Sequence, residues 1–93
     1  MVVALLTVEF HIHGSQSLKE KRMVLRRVKD RLKKFNVAVS EVEHQDLWQR
    51  AALAVVTVST GQQQADRELA AVADEIERVE PGLITRTDVE FLT

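Results

Sequence analysis

From the second residue onward, apolar and other positions alternate. Ala4, Leu6, Val8, Phe10 and Ile12 fall on one face at period two, which predicts a strand over residues 2–13. The opposite face carries Val3, Leu5, Thr7, Glu9, His11 and His13, so it begins apolar and ends polar. Gly14-Ser15-Gln16-Ser17 interrupts the alternation. The period then lengthens to that of a helix. Leu18, Leu25, Val28, Leu32 and Phe35 recur at helical spacing with Val24 beside them, predicting a helix from about Leu18 to about Lys34. Ser17-Leu18-Lys19-Glu20 fits a capping box, in which the Ser17 hydroxyl accepts from the Glu20 backbone N–H and the Glu20 carboxylate reaches back.

Asn36–Glu43 reads as a second strand. Val37 and Val39 share one phase and Val42 takes the other, so either a bulge intervenes or both faces are partly buried. His44–Arg50 is a polar connector. Ala51–Ser59 is apolar in both phases, with Leu53 and Val55 on one and Ala52, Ala54, Val56 and Val58 on the other. Such a strand belongs at the centre of a sheet, or under a second subunit. Thr60-Gly61 ends it. A second helix over residues 62–80 presents Leu69, Val72, Ala73, Ile76 and Val79, and Pro81-Gly82 stops it. Leu83–Leu92 is the last strand, with Leu83, Thr85, Thr87, Val89 and Phe91 in one phase.

The order β-α-β-β-α-β, short connections and right-handed crossovers predict an α+β, ferredoxin-like sandwich. Its four-stranded antiparallel sheet has the order 4-1-3-2, with both helices on one face. Residues 1–93 are expected to be a single domain. A domain of this size has a thin core, so a homo-oligomer, most simply a dimer, would gain stability from association.

Composition narrows the chemistry. Apolar residues make up 45% of the chain but only Phe10, Phe35, Trp48 and Phe91 are aromatic, so aliphatic side chains must fill the core. The absence of cysteine excludes disulfides, thiolate metal sites and a thiol nucleophile. A small secreted domain without disulfides is unusual, and the apolar run after Met1 lacks a basic flank and is cut short by Glu9. A cytoplasmic protein with no membrane partner is therefore expected.

The net charge of −1 hides a division. Residues 19–34 hold nine bases against two acids, whereas residues 62–93 hold three bases against eight acids. A basic helix beside an acidic half is one signature of a nucleic-acid face, although bases on an exposed helix are often merely solvated.

The predicted topology brings the end of the first strand, the Gly14–Ser17 turn, the start of the first helix and the His44–Arg50 connector to one edge. Candidate binding residues there are Ser15, Ser17, Lys19, Lys21, Arg22, Arg26, Gln45, Asp46, Trp48, Gln49 and Arg50. The helix start could take a phosphate through its unpaired N–H groups, but the turn is not a phosphate-binding loop, and Ser17 with Glu20 already supplies a cap. Trp48 is expected to lie as a lid over the sheet edge, the alternative being an anchor for a partner. His11 and His13 precede Glu41, Glu43, His44 and Asp46 without any metal-ligand spacing, so no metal or other cofactor is expected. Ser15 or Ser17 with His13 or His44 and Asp46 would be a possible hydrolytic set, of a kind that arises readily by chance, and no catalytic residue is assigned.

Three stretches, Leu5–Ile12 (LLTVEFHI), Gly14–Arg22 (GSQSLKEKR) and His44–Ala51 (HQDLWQRA), with the spacing between them, resemble the YlxP-like family of small bacterial proteins. Where that family commonly has proline before the glycine, this chain has His13. The resemblance implies a ferredoxin-like fold and, because family genes often lie beside translation-initiation and ribosome-maturation genes, leans toward RNA or the ribosome. It implies no catalytic residues. The expected function is a non-enzymatic RNA- or ribosome-associated binding module using the first helix and the connector. The alternative is a homo-oligomeric interaction domain with no nucleic-acid role.

Overall fold

Ten residues, Val2–His11, form strand β1, whose alternating faces follow the sequence: Ala4, Leu6, Val8 and Phe10 are buried while the residues between them are half-buried. The computed structural model describes all 93 residues. After β1 come helix α1 (Leu18–Leu32), strands β2 (Ala38–Glu43) and β3 (Arg50–Ser59), helix α2 (Gln62–Val79) and strand β4 (Ile84–Phe91). The sheet order is β2-β3-β1-β4, antiparallel throughout, which is the ferredoxin-like arrangement. The turns that open and close this frame use glycine at positive φ, Gly14 after β1 and Gly82 before β4, where a side chain would be strained.

One side of the sheet packs on the helices. Leu25, Val28 and Leu32 of α1 and Ala65, Leu69, Val72 and Ile76 of α2 close over Leu6, Val8, Phe10, Leu53 and Val55. Apart from the small Ala65, each such side chain contributes about 1.5–3 kcal/mol by leaving water, so this layer carries most of the fold's stability. The other side of the sheet carries no helix.

The ambiguous phase in β2 is a bulge. The β2–β3 register shifts between Glu41 and Glu43, which leaves Val42 as the extra, exposed residue. A second shift, between Glu9 and Phe10 of β1, changes the phase of β4. Ile84 therefore pairs with Phe10, and the predicted phase of Thr87, Val89 and Phe91 holds only beyond Thr85. Val89 pairs with Leu6 on the helix side yet is 44% exposed, because α2 barely reaches this edge strand.

Candidate nucleic-acid interface

The predicted meeting of turn and connector is present. Ile12 donates its backbone N–H to Gln49 O (2.8 Å), and the Gln49 side chain donates to Ser15 O (3.1 Å). Leu83 joins them, its carbonyl accepting from His11 N (2.9 Å).

At the centre stands Lys21. Its side chain is buried, the whole residue only 1% exposed, and its ammonium donates to the carbonyls of His44 (2.8 Å), Arg50 (3.2 Å) and Gln45 (3.3 Å). Glu41 completes the shell at 3.1 Å. A buried ammonium is stable only when its donors are satisfied, and here the connector backbone satisfies them. Lys21 is thus a clamp on the connector and is withdrawn from any external phosphate, contrary to its place among the predicted contact residues. The clamp also holds His44 at a φ of 64°, a left-handed conformation rare outside glycine, and the His44 ring meets Glu9 at 3.2 Å.

Ser15 is likewise removed from the predicted surface, being 4% exposed with its hydroxyl donating to Ser17 O. Ser17 caps α1 by accepting from Glu20 N (3.1 Å). The Glu20 carboxylate reaches one residue beyond the expected capping box, accepting from Gln16 N at 2.6 Å. Its negative charge beside the helix start opposes a further anion there. The serine–histidine–acid set does not assemble. Both serines are engaged with backbone, His13 faces His11 (Nε2 to Nδ1, 3.2 Å), His44 faces Glu9, and Asp46 makes no hydrogen bond to any of them. No three potential metal ligands converge.

Trp48 is no lid. It is 54% exposed on the connector, with Leu47 beside it also exposed, because the Lys21 clamp holds the connector backbone against α1 while the side chains of the turn point outward. Gln45, Asp46, Gln49 and Arg50 are exposed around it, and Arg50 pairs with Glu9 (3.2 Å).

The basic surplus of α1 divides into two sets. Lys21, Arg27, Lys33 and Lys34 find acidic partners in Glu41, Glu80, Asp30 and Glu75. Arg27 donates to Glu80 through two nitrogens (2.7 and 2.9 Å), and Lys34 meets Glu75 at 3.4 Å, so these bases fasten α1 to the acidic α2 end. The hydrogen bond from Arg78 holds the Glu75 carboxyl below the ordinary glutamate range; partial burial opposes this and Lys34 adds to it. Lys19, Arg22, Arg26, Lys29 and Arg31 have no acidic partner.

Helical spacing sorts these positions. Positions 18, 21, 25, 28 and 32 form the inward stripe, in which Lys21 is the one charged member. Positions 19, 22, 26, 29 and 33, one residue on, form a parallel stripe occupied entirely by lysine and arginine. Arg22, Arg26, Lys29 and Lys33 line a groove of about 360 Å³ between α1 and Glu41 of the edge strand β2. The stripe runs for roughly 20 Å at the helical rise of 1.5 Å per residue, and the connector bearing Trp48 sits at its first turn. The larger concavity, about 500 Å³ among Met1, Asn36, Val58, Thr60 and Glu68, lies at the opposite end of the sheet. No helix is long and apolar enough to cross a membrane.

Comparison with known proteins places this architecture. Among solved structures, the crystal structure of SnoaB, a cofactor-independent oxygenase from Streptomyces nogalater, superposes with a TM-score of 0.58 at 16% identity, covering 100% of this chain and 93% of that one. A de novo designed protein, Foldit4, superposes with a TM-score of 0.55 at 13% identity over 99% of this chain and 96% of its own. At such identities these share the fold alone. In sequence, the uncharacterized protein YlxP of Bacillus subtilis (strain 168) is 43% identical over 84 residues, covering 83% of this chain and 87% of its own length. Residues 3–89 match the family described as "Protein of unknown function (DUF503)", and with that match and the YlxP likeness the chain belongs to this family.

Proposed function

We propose that this chain is a cytoplasmic RNA-binding module that lays the phosphate backbone of a single-stranded segment along the α1–β2 groove and stacks a base on Trp48. The supporting observation is the cationic stripe Lys19, Arg22, Arg26, Lys29 and Lys33, of which only Lys33 is paired within the chain. Cations spaced along one helix face suit a repeating anion better than a compact ligand. An exposed aromatic side chain at the end of the stripe supplies the sequence-tolerant contact that single-stranded nucleic-acid binders combine with charge. Lys21 and Ser15 contribute by holding the connector in place, and Lys19, Arg22, Arg26, Lys29 and Trp48 make the contacts. No catalytic step is part of this reading.

Fluorescence anisotropy with a labelled single-stranded RNA tests it. Engaging about four phosphates should give a log–log salt slope near −3. Arg26→Glu with Lys29→Glu should abolish binding while leaving the fold intact by circular dichroism. Absence of binding at low salt, or an affinity indifferent to the double reversal, would falsify the reading.

A further inference from the structure

The face of the sheet turned away from the helices has its own pattern. Pairing register lays it out in rows. Val3 lies beside Val58, and in the next row Ala38, Val56 and Leu5 lead to Glu90. Then follow Ser40, Ala54, Thr7 and Asp88, and after them Glu43, Ala52, Glu9 and Arg86. The first two rows are apolar on the central strands, and charge enters with Glu90 and Asp88 on β4 and with Glu43, Glu9 and Arg86 in the last row. Val58 is 50% exposed, and the β1 and β3 residues beside it are half-buried without any element above them. A solvated sheet face would alternate to polar residues here, and the central strands do not.

We infer that this face is covered by a second copy of the chain, in a two-fold dimer whose axis runs along the strands between β1 and β3. The charges on the face select this occupant. That axis exchanges β1 with the partner's β3 and β2 with the partner's β4, row for row. Valines and leucines of the central strands then meet one another, and Arg86 of each copy meets Glu43 of the other. Arg86, Asp88 and Glu90 have no ion pair within the chain, and Glu43 has only a contact at 4.0 Å with His44. Ser40 comes opposite Asp88, as donor to acceptor, while Glu90, exposed on the edge strand, comes opposite Ala38 at the margin of the interface. An isologous interface must complement itself in this way, and two aligned sheets cross at about 30°, close enough to keep the rows in register. The acidic row on β4 and the acidic Glu43 and Glu9 also disfavour a nucleic acid on this side. The RNA reading concerns the helix side, so the two stand or fall separately.

Analytical ultracentrifugation of the full chain from the low micromolar range to about 100 μM tests the dimer by mass action. The wild type should dimerise. Val58→Lys changes a half-exposed side chain, so it should keep the circular dichroism of the wild type and raise the dimer Kd by roughly a hundredfold, as expected for an unpaired charge placed in an interface core. Arg86→Glu and Glu43→Arg should each weaken the dimer, roughly tenfold for two exposed pairs, and together should restore it. A chain that stays monomeric throughout overturns the proposal. So does a dimer indifferent to Val58→Lys, or one in which the two reversals add instead of cancelling.

Discussion

Lys21 shows how one residue joins two parts of the chain that sequence separates by more than twenty positions. Its ammonium is bound by three connector carbonyls and one carboxylate, so Lys21→Met leaves those acceptors and Glu41 buried without a donor. The expected loss is about 3 kcal/mol in urea unfolding, the usual cost of breaking a buried pair on one side. Trp48 is the opposite case. Trp48→Ala removes an exposed ring and should change stability by no more than about 0.5 kcal/mol. It should nevertheless cost about 1–3 kcal/mol of RNA affinity if a base stacks on it, and RNA should alter the tryptophan fluorescence of the wild type. Glu75 supplies a pH dependence. Its carboxyl titrates lower in the folded chain than in the unfolded one, so its contribution is complete above the unfolded value and is lost as pH falls through the folded value. The stability gap between wild type and Glu75→Gln should be widest near neutral pH and close in acid, as read from urea melts across that range.

At the scale of elements, α1 performs two tasks with one residue type. Arg26 and Arg27 are neighbours in sequence but lie on different faces. Arg27 fastens α1 to Glu80 after α2, whereas Arg26 lines the groove without an ion pair, the groove's two acids Asp30 and Glu41 being paired with Lys33 and Lys21. Arg27→Glu should therefore lower stability by about 1 kcal/mol, the upper end for an exposed pair. Arg26→Glu should leave the melting temperature within a degree or two of wild type, a shift of a few tenths of a kcal/mol, and lose RNA binding. Melting curves and anisotropy on the same two proteins separate these effects. The helix period already held part of this information. Lys21 falls on the 18, 21, 25, 28, 32 stripe, and that spacing alone marked it as the base drawn inward. Grouping it with the other bases by composition concealed this. Ser15 gave no such signal, because nothing local distinguishes a buried turn serine from a solvated one.

The whole molecule has one covered sheet face and one open face. Its thin core and the apolar central strands of the open face both favour association, so the melting temperature should rise with protein concentration, as differential scanning calorimetry across a concentration series will measure. Edge strands β2 and β4 carry Glu41, Glu43, Arg86, Asp88 and Glu90, charges that discourage edge-to-edge growth of the sheet and leave face-to-face pairing as the orderly route.

Local periodicity determined the six elements and their order, the S-x-x-E motif marked the capping serine, and right-handed, short connections then gave the sheet topology and the edge where turn and connector meet. Periodicity could do so because alternation at two or at 3.6 residues reports which face is buried before any partner is known. Only the tertiary structure decided which polar groups on that edge remain free. Whether a lysine binds carbonyls or phosphates and whether Trp48 covers the sheet or faces water depend on distances between segments remote in sequence. Those distances are set by the packing of the two helices on the sheet, and no local pattern encodes them.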